Sequence, residues 1–203
     1  MAPGSRAIAL RLDAIVLFML RTPRLLLEPI SPAHAPGMFL GLCDPRLYEF
    51  ISAEPPASIE ALRQRYERLA KRTSPDGLEQ WLNWILRPVD EPACLGYVQA
   101  TVRAGGAGGA GREGAGAGGT ADVAYVLFSC AQRRGLAREG VAAMIEHLRS
   151  SGTAHNFRAT VHPANAPSIA LLRALGFEHT STRLNAELIR GVPTDEQEFW
   201  LRA

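Results

Sequence analysis

The sequence predicts a single α/β domain built on a mixed sheet. Strand-length runs of β-branched and aromatic residues dominate the first part, strands and amphipathic helices alternate in the last third, and no internal repeat interrupts this order. Such an order calls for antiparallel and parallel pairs in one sheet. A chain of 203 residues with 47% hydrophobic residues can bury one sizeable core.

Residues 1–20 read as an N-terminal extension ahead of a domain at 21–203. The segment MAPGSRAIALRLDAIVLFML has the outline of a secretory signal. Arg11 and Asp13 break its apolar run, however, and no small-residue cleavage site precedes Arg21. It is also too short and too charged to span a bilayer. The domain opens with the strand RLLLEPI, and Ser31-Pro32 then starts a helix running toward Leu42. Ser58 caps a second helix whose Ile59, Leu62, Tyr66 and Leu69 share one face, and Ser74 to Gly77 form a turn. Two strands follow, Gln80 to Arg87 and Cys94 to Arg103, separated by the turn-like Pro88 to Pro92. A strand from Asp122 to Phe128, a helix from Gly135 to Arg149 and a strand from Phe157 to His162 come next. The short helix from Pro167 to Leu175 is closed by Gly176. Strands around Glu178 to Leu184 and Glu196 to Arg202 complete the chain.

Composition excludes several function classes. A net charge of +2 with scattered arginines is no nucleic-acid footprint, and Lys71 as the sole lysine reflects compositional bias. Cys43, Cys94 and Cys130 form no CxxC pair and have no clustered histidines, so no metal is expected and a reduced, cytoplasmic setting is.

Residues 104–119, AGGAGGAGREGAGAGG, contain nine glycines and satisfy GxGxxG at Gly114 to Gly119. The dinucleotide fingerprint needs a strand before it and a helix after it, whereas this tract precedes a strand. It also lacks the lysine of the other phosphate loop. It reads as a surface connection at the tip of a hairpin between Arg103 and Asp122.

The context that the tract lacks appears in AYVLFSCAQRRGLAREGVAAMIEHL. Here a strand leads through a small-residue loop into a helix N-terminus, which points unpaired N–H groups and the positive end of the dipole at one place. Gly135 and Ala137 leave room for a diphosphate, and Arg133, Arg134 and Arg138 add positive charge. A second stretch, NAPSIALLRALGFE at 165–178, again opens a helix after a strand.

QxxGxA after one strand and NxxSxxxLxxxGF after the next resemble the GCN5-related N-acetyltransferase (GNAT) superfamily. Gly135 to Glu139, followed by Asn165, Ser168 and Ile169, look most like the ribosomal-protein alanine acetyltransferases, as does the opening TPRLLLEPISPAHA. The resemblance runs from about Thr22 to the C-terminus and is weakest over 43–120. It implies a mostly antiparallel sheet with splayed central parallel strands, flanked by helices. It further implies that acetyl-CoA, the acetyl donor, lies in the splay. The backbone of Val126, Leu127 and Phe128 would then pair with the pantetheine arm. N–H groups of Gln132, Arg133, Arg134, Gly135, Leu136, Ala137 and Arg138 would hold the pyrophosphate, and Asn165 and Ser168 would lie near the sulfur.

Direct transfer to an amine needs an acid for the departing thiolate and a base for the ammonium proton. Many relatives place a tyrosine acid where this chain has Leu172, so that role cannot be carried over. Ser168 is the substitute, unless it only caps its helix. Asp122 matches a position where the family often has a carboxylate base, and it also reads as an ordinary hairpin-end residue. Glu54 and Glu79 are alternatives with no warrant beyond lying near cleft-lining segments. His162, at the strand end near the splay, could relay a proton but also reads as a satisfied buried histidine; Cys130 reads as packing. Trp81 and Trp84 face opposite sides of their strand, so at most one lines a cleft. The expected acceptor is a protein or peptide N-terminus. A small amine, for which Glu49, Glu54, Glu79 and Glu91 would suit an acidic pocket, or a non-catalytic acyl-CoA sensor are the alternatives. A homodimer is compatible with this reading, and neither nucleic acid nor membrane is an expected partner.

Overall fold

The computed structural model describes residues 18–103 and 119–203. Its strands are β1 (Leu20–Arg21), β2 (Leu25–Pro29), β3 (Glu79–Pro88), β4 (Gly96–Arg103), β5 (Gly119–Leu127), β6 (Ala154–Val161), β7 (Glu178–Ile189) and β8 (Val192–Leu201). Its helices are α1 (Ala35–Leu42), α2 (Ile59–Leu69), α3 (Leu136–Ser150) and α4 (Ala166–Ala174). The sheet runs β1-β2-β3-β4-β5-β6-β8-β7, and β5–β6 is its one parallel pair among the described residues. The mixed, mostly antiparallel architecture expected from the element order is what the chain adopts.

Period-two alternation sorts the side chains onto two faces. Val98, Ala100, Val102, Ala121 and Val123 turn toward α3, whose Val141, Met144 and Leu148 are fully buried in the larger core cluster. Tyr97 and Val126 turn the other way, where α1 and α2 supply Met38, Leu42, Leu62 and Tyr66 to a second cluster. Strand β3 is covered on both faces, so Leu82 to Leu86 are continuously buried, including polar Asn83. Gly140 lets α3 lie close on the sheet, because a Cβ there would stand 3.0 Å from Leu86.

Two boundaries differ from the sequence reading. The packed domain begins before residue 21. Leu20 and Arg21 pair with β2, the Trp84 indole N–H donates to Phe18 O at 2.8 Å, and the Arg72 guanidinium lies 3.6 Å from the Phe18 ring centre. The last two strands are longer than expected and meet in a tight turn at Arg190 and Gly191, with φ of 52° and 77°. Positive φ at both central residues is the hairpin turn that matches strand twist. The reading missed it because Arg-Gly is a weak turn signal and because the register shift between Arg183 and Glu187 breaks the alternation. The glycine tract lies outside the described residues apart from Gly119; the strands on either side of it pair antiparallel, Arg103 opposite Thr120.

Candidate active site

The site is made by an interruption. The β5–β6 ladder pairs Thr120 to Asp122 with Asn156 to Arg158 and then stops, whereas β5 stays paired with β4 as far as Leu127 and β6 stays paired with β8 as far as Val161. From Val123 onward the two strands part, and β5 presents backbone N–H and C=O groups with no strand opposite. This is the splay the resemblance implied. Leu127 and Tyr125 turn their backbone groups into it, whereas Val126, opposite Tyr97, turns its own toward β4 and does not serve as expected. Phe128 does not serve the purpose assigned to it: its N–H donates to Leu95 O at 2.8 Å and its C=O accepts from Ala131 N–H at 2.8 Å. The strand has curled into the next turn one residue earlier than the sequence suggested.

Beyond β5 the chain makes a short turn at Ser129–Ala131 and enters the loop at Gln132. Arg133 and Gly135 both have positive φ, 57° and 74°. The first α3 bond is Glu139 N–H to Gly135 O, so among the described residues the N–H groups of 133–138 have no backbone acceptor. Alternating left-handed residues before a helix turn successive N–H groups inward and make an anion-binding concavity. The N–H groups of 133–138 thus suit a diphosphate; Gln132, expected with them, differs, because its N–H donates to Ser129 O at 3.4 Å. The loop is anchored from both sides. Gln132 Nε2 donates to Leu127 O at 3.0 Å, and Arg24 Nη1 donates to Arg134 O at 2.9 Å. Glu139 holds Arg24 in turn, at 2.6 Å, and also accepts from Thr22. Burial alone would raise the Glu139 carboxyl, but the hydrogen bonds from Thr22 and Arg24 outweigh it and hold it below its ordinary value.

Across the splay, Asn165 and not Ser168 caps α4: Asn165 Oδ1 accepts from Ser168 N–H at 3.2 Å. The Ser168 hydroxyl is therefore released from capping, and it lies 2.7 Å from the Tyr125 hydroxyl of β5. Burial pushes the Tyr125 phenol up to about 12, so at neutral pH it carries its proton. The sequence reading did not single out Tyr125 beside Ser168; the signal was a lone hydroxyl in the aliphatic run of β5, on the α3-facing side. Leu172, where relatives have a tyrosine, is fully buried in the core.

Asp122 lies at the last rung of the parallel ladder, not within the splay. Arg158 Nε and Nη2 donate to its two oxygens at 2.5 and 2.8 Å, and Arg103 donates to it as well. Arg103 reaches Glu79 at 2.8 Å, and Arg158 lies 3.7 Å from Glu198. The indoles of Trp81 and Trp200 donate to Glu79 and Glu198. A chain of compensated charge thus crosses the sheet where the strands begin to part, and three guanidinium N–H groups occupy the carboxylate expected to serve as base. Glu79 belongs to the same chain, and Glu54 is exposed. The His162 ring faces Phe50 at 5.3 Å, and its Nδ1 accepts from Ala164 N–H. Cys130 is an exposed free thiol beside the loop.

On the α1/α2 face, beside Val126, lies a cavity of about 40 Å³. Tyr48, Tyr66, Tyr97, Asn83 and Gln99 contribute polar groups to it, and Arg65 is the charged residue in its lining. Glu49, Glu54, Glu79 and Glu91 are not part of it. Between this cavity and the ladder, Ala124 is exposed.

The fold has close counterparts among solved structures. A ribosomal-protein-S5-alanine acetyltransferase from Vibrio fischeri superposes with a TM-score of 0.72 at 19% identity, covering 91% of this chain and 96% of that one. RimL, a ribosomal L7/L12 alpha-N-protein acetyltransferase in complex with coenzyme A, gives 0.75 at 15%, covering 91% and 97%. A microcin C7 self-immunity acetyltransferase in complex with acetyl-CoA and AMP gives 0.72 at 17%, covering 90% and 94%. At these identities the likeness is one of fold. A search of curated proteins by sequence returns no match. The acetyltransferase (GNAT) domain family, in contrast, matches residues 24–178 directly. Since that match spans most of the sequence, the chain belongs to the GNAT acetyltransferases, with acetyl-CoA as its acetyl donor.

Proposed function

We propose that this enzyme transfers the acetyl group directly to a primary amine, and that the amine is the N-terminus of a protein or peptide. The observation that carries the reading is the composition of the cavity beside Val126: phenols, amides and one guanidinium, with no carboxylate. A polyamine or another polycationic small amine needs compensating acids there, and a peptide N-terminus needs polar neutral groups. Two of the similar structures are titled as acetyltransferases of ribosomal proteins, in agreement with this choice.

Acetyl-CoA supplies the acetyl group as a thioester whose thiol is the leaving group. The N–H groups of Arg133 to Arg138 bind the diphosphate, and the open edge of Tyr125 and Leu127 orients the pantetheine arm. An N–H of this edge also polarises the thioester carbonyl, the kind of stabilisation that contributes most to acyl transfer. The attacking nitrogen sheds one proton as the C–N bond forms and the C–S bond breaks. Ser168 relays it, giving its own proton to the departing sulfur and recovering the one from nitrogen, with the Tyr125 hydroxyl holding the serine in place. Asp122 serves as the latch at which the splay begins. The amine reaches the exposed edge at Ala124 already neutral, having lost its proton to water, because no carboxylate stands in the lining to take it.

The test is calorimetric titration with acetyl-CoA, followed by thiol release against panels of peptides and small amines. Acetyl-CoA binding with turnover of peptides is the expected result. Turnover confined to polyamines or cationic small molecules overturns the acceptor, and binding without turnover of any amine marks a sensor.

A further inference from the structure

The acceptor cavity contains a polar group that nothing in the fold satisfies. Tyr66 on α2 is 3% exposed, and its hydroxyl has no hydrogen-bond partner among the described residues. A buried hydroxyl without a partner is destabilising, so its retention calls for a reason. Arg65, the next residue, lines the same cavity, and no described carboxylate lies within ion-pairing distance of it. The other arginine on this helix that is close to an acid, Arg63, pairs with Glu60 at 3.7 Å. The guanidinium also lies close enough to Tyr48, Tyr66 and Tyr97 to act on each of them electrostatically. A cation, an orphaned hydroxyl and the amides of Asn83 and Gln99 therefore converge on one small space. A water centre needs about 10–15 Å³. A cavity of about 40 Å³ therefore has room for about three heavy atoms, the size of a carboxylate.

We propose that this cavity reads a carboxylate carried by the acceptor close to its reacting amine, with Arg65 as its counter-charge and the Tyr66 hydroxyl as a donor. The proposal rests on the amine-transfer reading above and narrows its acceptor to an acidic one. A planar guanidinium suits a carboxylate, which it can meet with two parallel N–H bonds. Two sources present this chemistry: a peptide with aspartate or glutamate at its first or second position, and a free acidic amino acid.

The test compares kcat/KM, by thiol release, for peptides beginning with Asp or Glu, for their Asn and Gln isosteres, for peptides with Lys at the same positions, and for free aspartate and glutamate. The wild type should favour the acidic member of each isosteric pair by at least tenfold. Arg65→Ala should remove the preference, Arg65→Glu should turn it toward lysine peptides, and Tyr66→Phe should weaken it severalfold. Arg65 is exposed on its helix, and thermal melts of its variants should match the wild type. Equal turnover of acidic and neutral acceptors, or a preference that survives in Arg65→Ala, overturns the proposal alone. Acetyl-CoA binding with turnover of no amine overturns the transfer reading, and the proposal with it. Turnover of the free amino acids but not of the peptides leaves the carboxylate site standing and replaces the peptide as its source.

Discussion

The two ends of β5 lie only a few residues apart in sequence and meet opposite fates in the fold. At the end near Asp122, every strong polar group is answered: the carboxylate by two arginines, those arginines by Glu79 and Glu198, and those glutamates by two indoles. At the end near Val126, backbone groups face a gap, a tyrosine hydroxyl holds a serine hydroxyl, and a buried phenol in the neighbouring cavity has no partner. Compensated charge stabilises and stays put, whereas unmet hydrogen-bonding capacity is what a ligand can satisfy. The acidic residue that looks catalytic in the sequence is on the closed end, and the proposed chemistry is on the open one.

The sharpest way to break this comparison is to fill the open end. Gly135→Asp places a side chain at φ of 74° and a negative charge among the N–H groups, and acetyl-CoA affinity measured by calorimetry should fall at least 100-fold. Unchanged affinity would move the diphosphate elsewhere. Ser168→Ala should lower kcat by about 100-fold, at the low end for a general acid, while leaving acetyl-CoA affinity within about twofold. Its loss of kcat without loss of affinity is what separates an acid from a binding residue. Tyr125→Phe should be milder, about three- to tenfold in kcat. It should also flatten the alkaline limb of stability. The folded phenol keeps its proton up to about 12, while unfolded tyrosine ionises near 10, so its contribution is intact below 10 and lost as pH rises through 12.

Where the proton of the amine goes is tested by pH. With no enzyme base, log kcat/KM for a peptide should rise with pH and level near the α-amino value of about 8. An inflection below 7 would restore a protein base, with His162 or Asp122 the first to examine. The smallest effect belongs to the closed end. Asp122→Asn should keep kcat within about threefold and lower Tm by roughly 2–4 °C, the shift about 1 kcal/mol makes in a chain of this size. A thousandfold loss of kcat in that variant would reverse the assignment of the two ends.

Much of the fold is legible in the sequence because its signals are local. The stripe Leu136, Val141, Met144, Ile145 and Leu148 announces α3, Ser58 announces the start of α2, and Gly135 lies at the left-handed position that a tight strand-to-helix loop demands. The diphosphate loop is readable for the same reason, since its N–H groups come from consecutive residues. Ser168 and Tyr125 are 43 positions apart and meet only because β5 and α4 flank the same gap. Nothing local in either residue announces the other. The two readings of Asp122 could not be separated in the sequence, because the arginines that engage it lie on two other strands, one earlier and one later in the chain.

By itself the sequence determined the order and type of the elements, the family they belong to and the loop proposed for the donor, because hydrophobic periodicity, caps and glycine conformations act over a few residues. The tertiary structure alone decided which polar groups are already satisfied and which are left open. That distinction depends on partners far apart in the chain: the same carboxylate is a base or a latch, and the same hydroxyl a cap or an acid, according to what the fold sets within hydrogen-bond distance of it.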